Sequence, residues 1–137
     1  MGKENNMRFY LSHSIRGKYG KDATPTQMKE NCDKIIQICK LIKKILPPVD
    51  LYVPAEHEDF VGIAYKEKYL TEQQILAIDC KIIDRCDGIL IYCPPDDPIQ
   101  GGRQIEYDHA VATNKPVCVF SEVIQAVVWL TYQITRA

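Results

Sequence analysis

Two periods of hydrophobic patterning alternate along this chain: short, continuous apolar runs, and longer stretches whose apolar residues recur at helical spacing. Met7–Ser12 (MRFYLS), Leu51–Val53 (LYV), Gly88–Cys93 (GILIYC) and Pro116–Phe120 (PVCVF) read as strands. The last two are of the kind buried on both faces of a parallel sheet. A helix is predicted from about Thr26 to Ile45, burying Met28, Cys32, Ile35, Cys39 and Ile42, with Pro47 and Pro48 stopping it. Thr71–Cys86 opens with a Thr-x-x-Gln capping pattern and carries Ile75, Leu76, Ile78, Ile82, Ile83 and Cys86 at helical spacing. A further helix is predicted from about Gly102 to Thr113, and a closing one over Glu122–Ile134 (EVIQAVVWLTYQI). Residues 54–70 (PAEHEDFVGIAYKEKYL) are too polar and interrupted for regular structure and read as a surface excursion with one helical turn. Alternation of this kind predicts an α/β fold, a three-layer, doubly wound parallel sheet of four or five strands with right-handed crossovers. The chain shows no internal repeat and no low-complexity linker.

Asp79 breaks the pattern. It lies on the apolar stripe of its helix, one turn after Ile75 and one turn before Ile82 and Ile83. A carboxylate in an apolar face is costly unless it is paired or used. Asp79 is therefore either an edge residue that caps a neighbouring amide or a site carboxylate, and the second reading is the stronger.

Composition narrows the function classes. With 137 residues, 46% of them apolar and 26% charged, the chain fits one globular domain over residues 1–137, with residues 1–6 expected to be disordered. A formal net charge of -1 with both signs interspersed gives no electrostatic footprint for a nucleic-acid polymer or an anionic membrane. No apolar run approaches the ~20 residues of a membrane span, and MGKENN has no apolar signal-peptide core, so a cytoplasmic location is expected. The six cysteines form no C-x-x-C pair, so neither a metal nor a cofactor is expected, and most of the thiols read as small core residues. Cys93, at the end of a strand, has nothing basic beside it in the sequence to stabilise a thiolate.

In such a sheet, ligands bind beyond the carboxyl ends of the strands, near the point where strand order reverses. This places His13, Ser14, Arg16 and Gly17, then Glu56 and His57, then Asp96, Asp97, Gln100, Gly101, Gly102, Arg103 and Glu106 among the candidate groups. Gly101 and Gly102, directly before a helix, offer free amides and a positive dipole end to an anion, although two glycines also make an ordinary loop. Glu106 in the first turn suits the helix dipole by itself. Together with Asp79 from a neighbouring helix it forms a pair of carboxylates in different environments, the usual equipment for cleaving a glycosidic bond.

Four blocks, Phe9–Gly17 (FYLSHSIRG), Pro54–His57 (PAEH), Asp79–Tyr92 (DCKIIDRCDGILIY) and Gly101–Val117 (GGRQIEYDHAVATNKPV), resemble those of the nucleoside 2-deoxyribosyltransferase superfamily. The nearest likeness is to its 2'-deoxynucleoside 5'-phosphate N-hydrolase branch, and it covers nearly the whole chain in order. The resemblance implies a flavodoxin-like fold and a homodimer or higher homo-oligomer acting on a small nucleotide or nucleoside. It implies Glu106 as nucleophile, Asp79 as the group that protonates the departing base or positions water, and Tyr10 beside the sugar or the nucleophile. Ser14, Ile15, Arg16 and Gly17, with Gln100, Gly101, Gly102 and Arg103, would hold the 5'-phosphate, and His57 would contact base or sugar. The chain departs from the family pattern at His13, where a small residue is expected, and at Asp108, where a glycine usually follows the nucleophile by two residues. The loop before Glu106 is also longer and lacks the serine expected at the phosphate. A base-exchanging transferase and a non-catalytic nucleotide-binding module on the same fold stay open as alternatives. So does a dinucleotide-cleaving signalling domain, because FYLSHS also resembles the first strand of Toll/interleukin receptor domains. The apolar closing helix with Trp129 and Tyr132 offers an interface or, equally, a cover for the sheet.

Overall fold

The computed structural model describes residues 7–136, so the disorder expected for residues 1–6 lies outside the described residues. Four parallel strands, β1 (Arg8–Ser12), β2 (Asp50–Tyr52), β3 (Gly88–Tyr92) and β4 (Val117–Phe120), form one sheet in the order β2-β1-β3-β4. Tyr10 stands opposite Tyr52 on one side and Ile89 on the other, and Ser12 opposite Ile91. The chain order reverses between β1 and β3, which is the switch point of a flavodoxin-like sheet.

Strand alternation divides the interior into two cores. Phe9, Leu11, Leu90, Tyr92 and Phe120 point to one face and pack with Ile35, Ile38, Cys39 and Ile42 of α1 (Pro25–Ile45) and Ala126 and Leu130 of α5 (Val123–Thr135). Tyr10, Ile89 and Ile91 point to the other, where they meet Ile83 of α3 (Glu72–Asp84) and Ala110 of α4 (Gly101–Ala112). The three layers are thus α1 with α5, the sheet, and α3 with α4.

Two helices begin where the sequence signals them. Thr24 and Gln27 close a capping box before α1, and Thr71 and Gln74 close one before α3. The buried stripe of α1 is Ile35, Ile38, Cys39 and Ile42, one turn further along than expected, and Met28 and Cys32 are only half-buried. Residues 54–70 correct the sequence reading more strongly. A 3-10 turn over Pro54–His57 leads into α2 (Glu58–Lys66), a helix of nine residues. It was hidden because it buries only Ala64 while Phe60 and Ile63 stay exposed, so no apolar stripe marks it. A second 3-10 segment, Gly17–Asp22, follows β1.

The ends of α3 and α4 are clamped together. The Lys115 ammonium donates to the carbonyls of Asp84 (3.1 Å) and Cys86 (2.7 Å), satisfying the carboxyl end of α3. His109 Nε2 lies 2.7 Å from Asp84 Oδ1. On the opposite layer, Trp129 packs edge-on against Phe9 at 5.5 Å, so this tryptophan covers the sheet, while Ile124, Val128 and Tyr132 of the same helix are exposed. Among the described residues no helix is long and apolar enough to cross a membrane.

Gly88 begins β3 against its neighbours: a Cβ there would stand 3.0 Å from the Pro116 carbonyl and 3.1 Å from the Phe9 ring. Gly88→Ala is expected to destabilise by about 1 to 3 kcal/mol in urea unfolding. Gly62→Ala, inside α2 with open space around it, is expected to stabilise by about 0.5 to 1 kcal/mol in the same measurement.

Candidate functional site

Residues two apart on a strand share a face, so β1 directs both Tyr10 and Ser12 toward α4. There they meet Glu106. The Tyr10 hydroxyl donates to Glu106 Oε2 at 2.8 Å, and the Ser12 hydroxyl donates to Oε1 at 2.6 Å. All three side chains are buried, and Glu106 is only 5% exposed. Burial raises the Glu106 carboxyl to about 7; the hydrogen bonds from Ser12 and Tyr10 oppose that rise and the nearby Asp79 adds to it. Asp79, half-buried on α3, is raised to about 6, again by burial, with the Tyr10 hydroxyl working against it. Tyr10 itself is held well above its ordinary value by burial and by the two carboxylates. Asp79 is thus brought from the apolar stripe of α3 to the side of Tyr10 and Glu106.

Aromatic rings continue the site outward. Tyr52 stacks on Tyr10 at 5.5 Å, and exposed His57 stacks on Tyr52 at 4.8 Å, which makes a column from the buried nucleus to solvent. The column links His57 to Tyr10 through Tyr52. Its middle member, Tyr52, did not emerge from the sequence because a Leu-Tyr-Val strand needs no purpose beyond the core.

The loop after β1 carries Ser14, Ile15, Arg16 and Gly17. The Ser14 hydroxyl accepts from the Gly17 amide at 2.8 Å, and the Asn31 side chain of α1 donates to the Ile15 carbonyl at 2.9 Å. Gly17 has φ +66°, and a Cβ on it would stand 2.7 Å from Asn31 Nδ2, so only glycine fits. Asn31 therefore staples this loop, and Arg16 projects exposed from it. On the facing loop, Gln100 precedes α4 without capping it through its side chain, which leaves the first amides of the helix free. Both glycines also have local reasons: Gly101 takes φ +57°, and a Cβ on Gly102 would touch Leu76 of α3 at 3.3 Å.

Arg103 departs from the substrate contact expected of it. It is 2% exposed and turned into the loop after β3, where its guanidinium donates to Asp97 Oδ1 at 2.6 Å and to the carbonyls of Tyr92, Asp97 and Pro98. One buried carboxylate and three carbonyls engage its two terminal nitrogens, while the buried Nε is left without a partner, so Arg103 ties the loop after β3 to the start of α4. It also donates to Cys93 Sγ at 3.4 Å, although burial still raises that thiol above its ordinary value.

His13 and Asp108 each have a local explanation. His13 Nε2 accepts from the Ala55 amide at 3.1 Å, tying the loop after β1 to the segment after β2, and burial lowers its pKa to about 4. It is therefore a neutral strut. Asp108 is exposed and accepts from Gln104 at 2.9 Å, so its side chain does not interfere with helix packing.

Ser12 is the residue that sequence reasoning missed. The signal is a serine two positions after Tyr10 on a buried strand, which shares its face. Among the described residues no group of three or more His, Cys, Asp or Glu side chains is arranged to hold a metal ion.

The raised carboxyl of Glu106 has a consequence for stability. Between its ordinary value of 4.5 and about 7 the folded state holds a proton that the unfolded chain has lost, so this group's contribution falls as pH rises through that window. Glu106→Gln is expected to unfold at higher temperature than the parent at pH 8, with the gap closing toward pH 4.5, in thermal melts across that range. Neither a protein-family model nor a curated protein sequence matches this chain.

Proposed function

We propose that this protein is an N-glycosidase that hydrolyses the bond between base and sugar in nucleoside or deoxynucleoside 5'-monophosphates. The observation that carries the reading is the juxtaposition of two carboxyls of raised pKa, Glu106 under the Tyr10 hydroxyl and Asp79 from the adjacent helix, at the switch point of the sheet.

In the first half-reaction a Glu106 carboxylate oxygen attacks the anomeric carbon as the carbon–nitrogen bond breaks. The bonding pair leaves with the base, and protonated Asp79 supplies the proton that the base takes up. The product is a glycosyl ester on Glu106. Water then attacks the same carbon with its proton passing to the Asp79 carboxylate, the ester carbon–oxygen bond breaks, and Glu106 is regenerated as a carboxylate. The cycle needs the singly protonated pair with Glu106 ionised and Asp79 protonated. With Glu106 at about 7 and Asp79 at about 6 the pair holds one proton between those values, mostly on Glu106. The reactive arrangement is therefore the minor tautomer of that form and gains weight if bound substrate favours a proton on Asp79.

The stacked Tyr52 and His57 rings offer an aromatic face to a planar base. Exposed Arg16 and the free amides at the start of α4 are the groups available to a 5'-phosphate, since Arg103 is committed to Asp97. Transfer to a second base shares the first half-reaction and is the nearest variant.

The expected outcome with a panel of nucleoside and deoxynucleoside monophosphates is release of free base, followed by chromatography. Glu106→Ala is expected to abolish it and Asp79→Asn to slow it by at least 100-fold, on the order of what general acid catalysis contributes. The pH profile of kcat/KM is expected to be a bell with its maximum between about 6 and 7. Intact substrate after prolonged incubation with the parent protein would instead favour a binding module on the same fold.

A further inference from the structure

Glu106 has two hydrogen-bond donors, and only one of them, Tyr10, belongs to the reading above. The other is Ser12, whose hydroxyl lies 2.6 Å from Oε1. Ser12 is fully buried at the end of β1, and a hydroxyl there needs a partner, because an unsatisfied buried polar group costs about 1 to 3 kcal/mol. Among the described residues Glu106 is the only hydrogen-bond partner of that hydroxyl. With Tyr10 on Oε2 and Ser12 on Oε1, both carboxylate oxygens are held from the same strand, and the carboxyl plane is fixed by two points instead of one.

We infer that Ser12 is a positioning residue that sets the orientation of the Glu106 carboxylate and supports its ionised form. The inference rests on the reading of Glu106 as nucleophile for its catalytic meaning, but the interaction itself does not. A hydroxyl that donates to a carboxylate stabilises the anion over the acid, and a short bond to a charged acceptor does so more strongly than one between neutral groups. The surroundings otherwise work against ionisation. The groups facing Glu106 are Tyr10 from β1 and Asp79 and Cys80 from α3, none of them cationic, while Arg103, one turn earlier on α4, is spent on Asp97. The two hydroxyls of β1 therefore take the place that a basic residue would fill. Each oxygen keeps a second lone pair, so the same clamp leaves an oxygen able to attack.

The test compares the parent, Ser12→Ala, Ser12→Thr and Glu106→Gln, each labelled with carbon-13 at the glutamate side-chain carboxyl carbon and titrated by NMR. The resonance absent from Glu106→Gln identifies Glu106. Ser12→Ala is expected to move its midpoint up by about one to two pH units, the equivalent of one hydrogen bond to a charged group, and Ser12→Thr, which keeps the hydroxyl, is expected to restore it. If the parent releases base, kcat/KM for Ser12→Ala is expected to fall roughly tenfold with its optimum moved to higher pH. A midpoint unchanged in Ser12→Ala, or moved equally in Ser12→Thr, overturns the inference. Should Ser12→Ala not fold, a Ser12→Cys variant titrated in the same way decides it, since a thiol donates a much weaker hydrogen bond and the midpoint must still rise. Because the titration needs no turnover, absence of base release from the parent would end the glycosidase reading without touching this result.

Discussion

Burying a carboxylate beside the sheet is the constraint around which this structure is organised. Glu106 sits in the interior facing α3 and β1, where its charge loses most of its hydration and gains only two hydroxyl donors in return. Those donors come from one strand, and they reach both oxygens because Tyr10 and Ser12 are two residues apart. The arrangement tolerates little movement of α4 relative to β1, since a shift of about an ångström would break a bond of 2.6 Å.

The rest of the α3 and α4 layer limits that movement. At the start of α4, Arg103 is drawn onto Asp97 and the carbonyls of the preceding loop, and Gly102 allows Leu76 of α3 to approach. At the other end, Lys115 caps α3 from the turn that follows α4, and His109 reaches Asp84. Glu106 lies between these two attachments. The buried ion pair of Arg103 and Asp97 ties the loop after β3 to α4, and removing either partner would leave a buried charge uncompensated. Stability comes chiefly from the other face, where Phe9, Leu11, α1 and α5 bury a core of aliphatic and aromatic side chains.

This division separates the candidate site from the scaffold. Among the described residues the candidate groups Tyr10, Ser12, Asp79 and Glu106 all lie on the face toward α3 and α4, and none lies on the face toward α1 and α5. The rim is built from segments that are each tied back to the body: Asn31 holds the loop after β1, and His13 joins that loop to the segment after β2. His13 shows how a residue at an apparently functional position can be taken up by support. With a backbone amide on Nε2 and a pKa lowered to about 4, it is unsuited to carry charge near neutral pH.

The sequence determined the elements whose partners are local. Capping boxes at Thr24 and Thr71, the apolar strands β1, β3 and β4 and the alternation of the two all act over a few residues, which is why the parallel three-layer architecture was legible. The conflict at Asp79 was legible for the same reason, since a carboxylate on an apolar helix stripe is exposed by a local pattern. Helix α2 was not, because it buries one residue and carries no stripe. Tertiary structure alone decided which oxygen meets which hydroxyl, that Arg103 turns inward to Asp97, and that Tyr10, Tyr52 and His57 form one column. These contacts join residues from different strands and helices, up to 96 positions apart in the chain for Tyr10 and Glu106. Their distances are fixed by how strands stack and helices pack, and no local spacing in the chain encodes them.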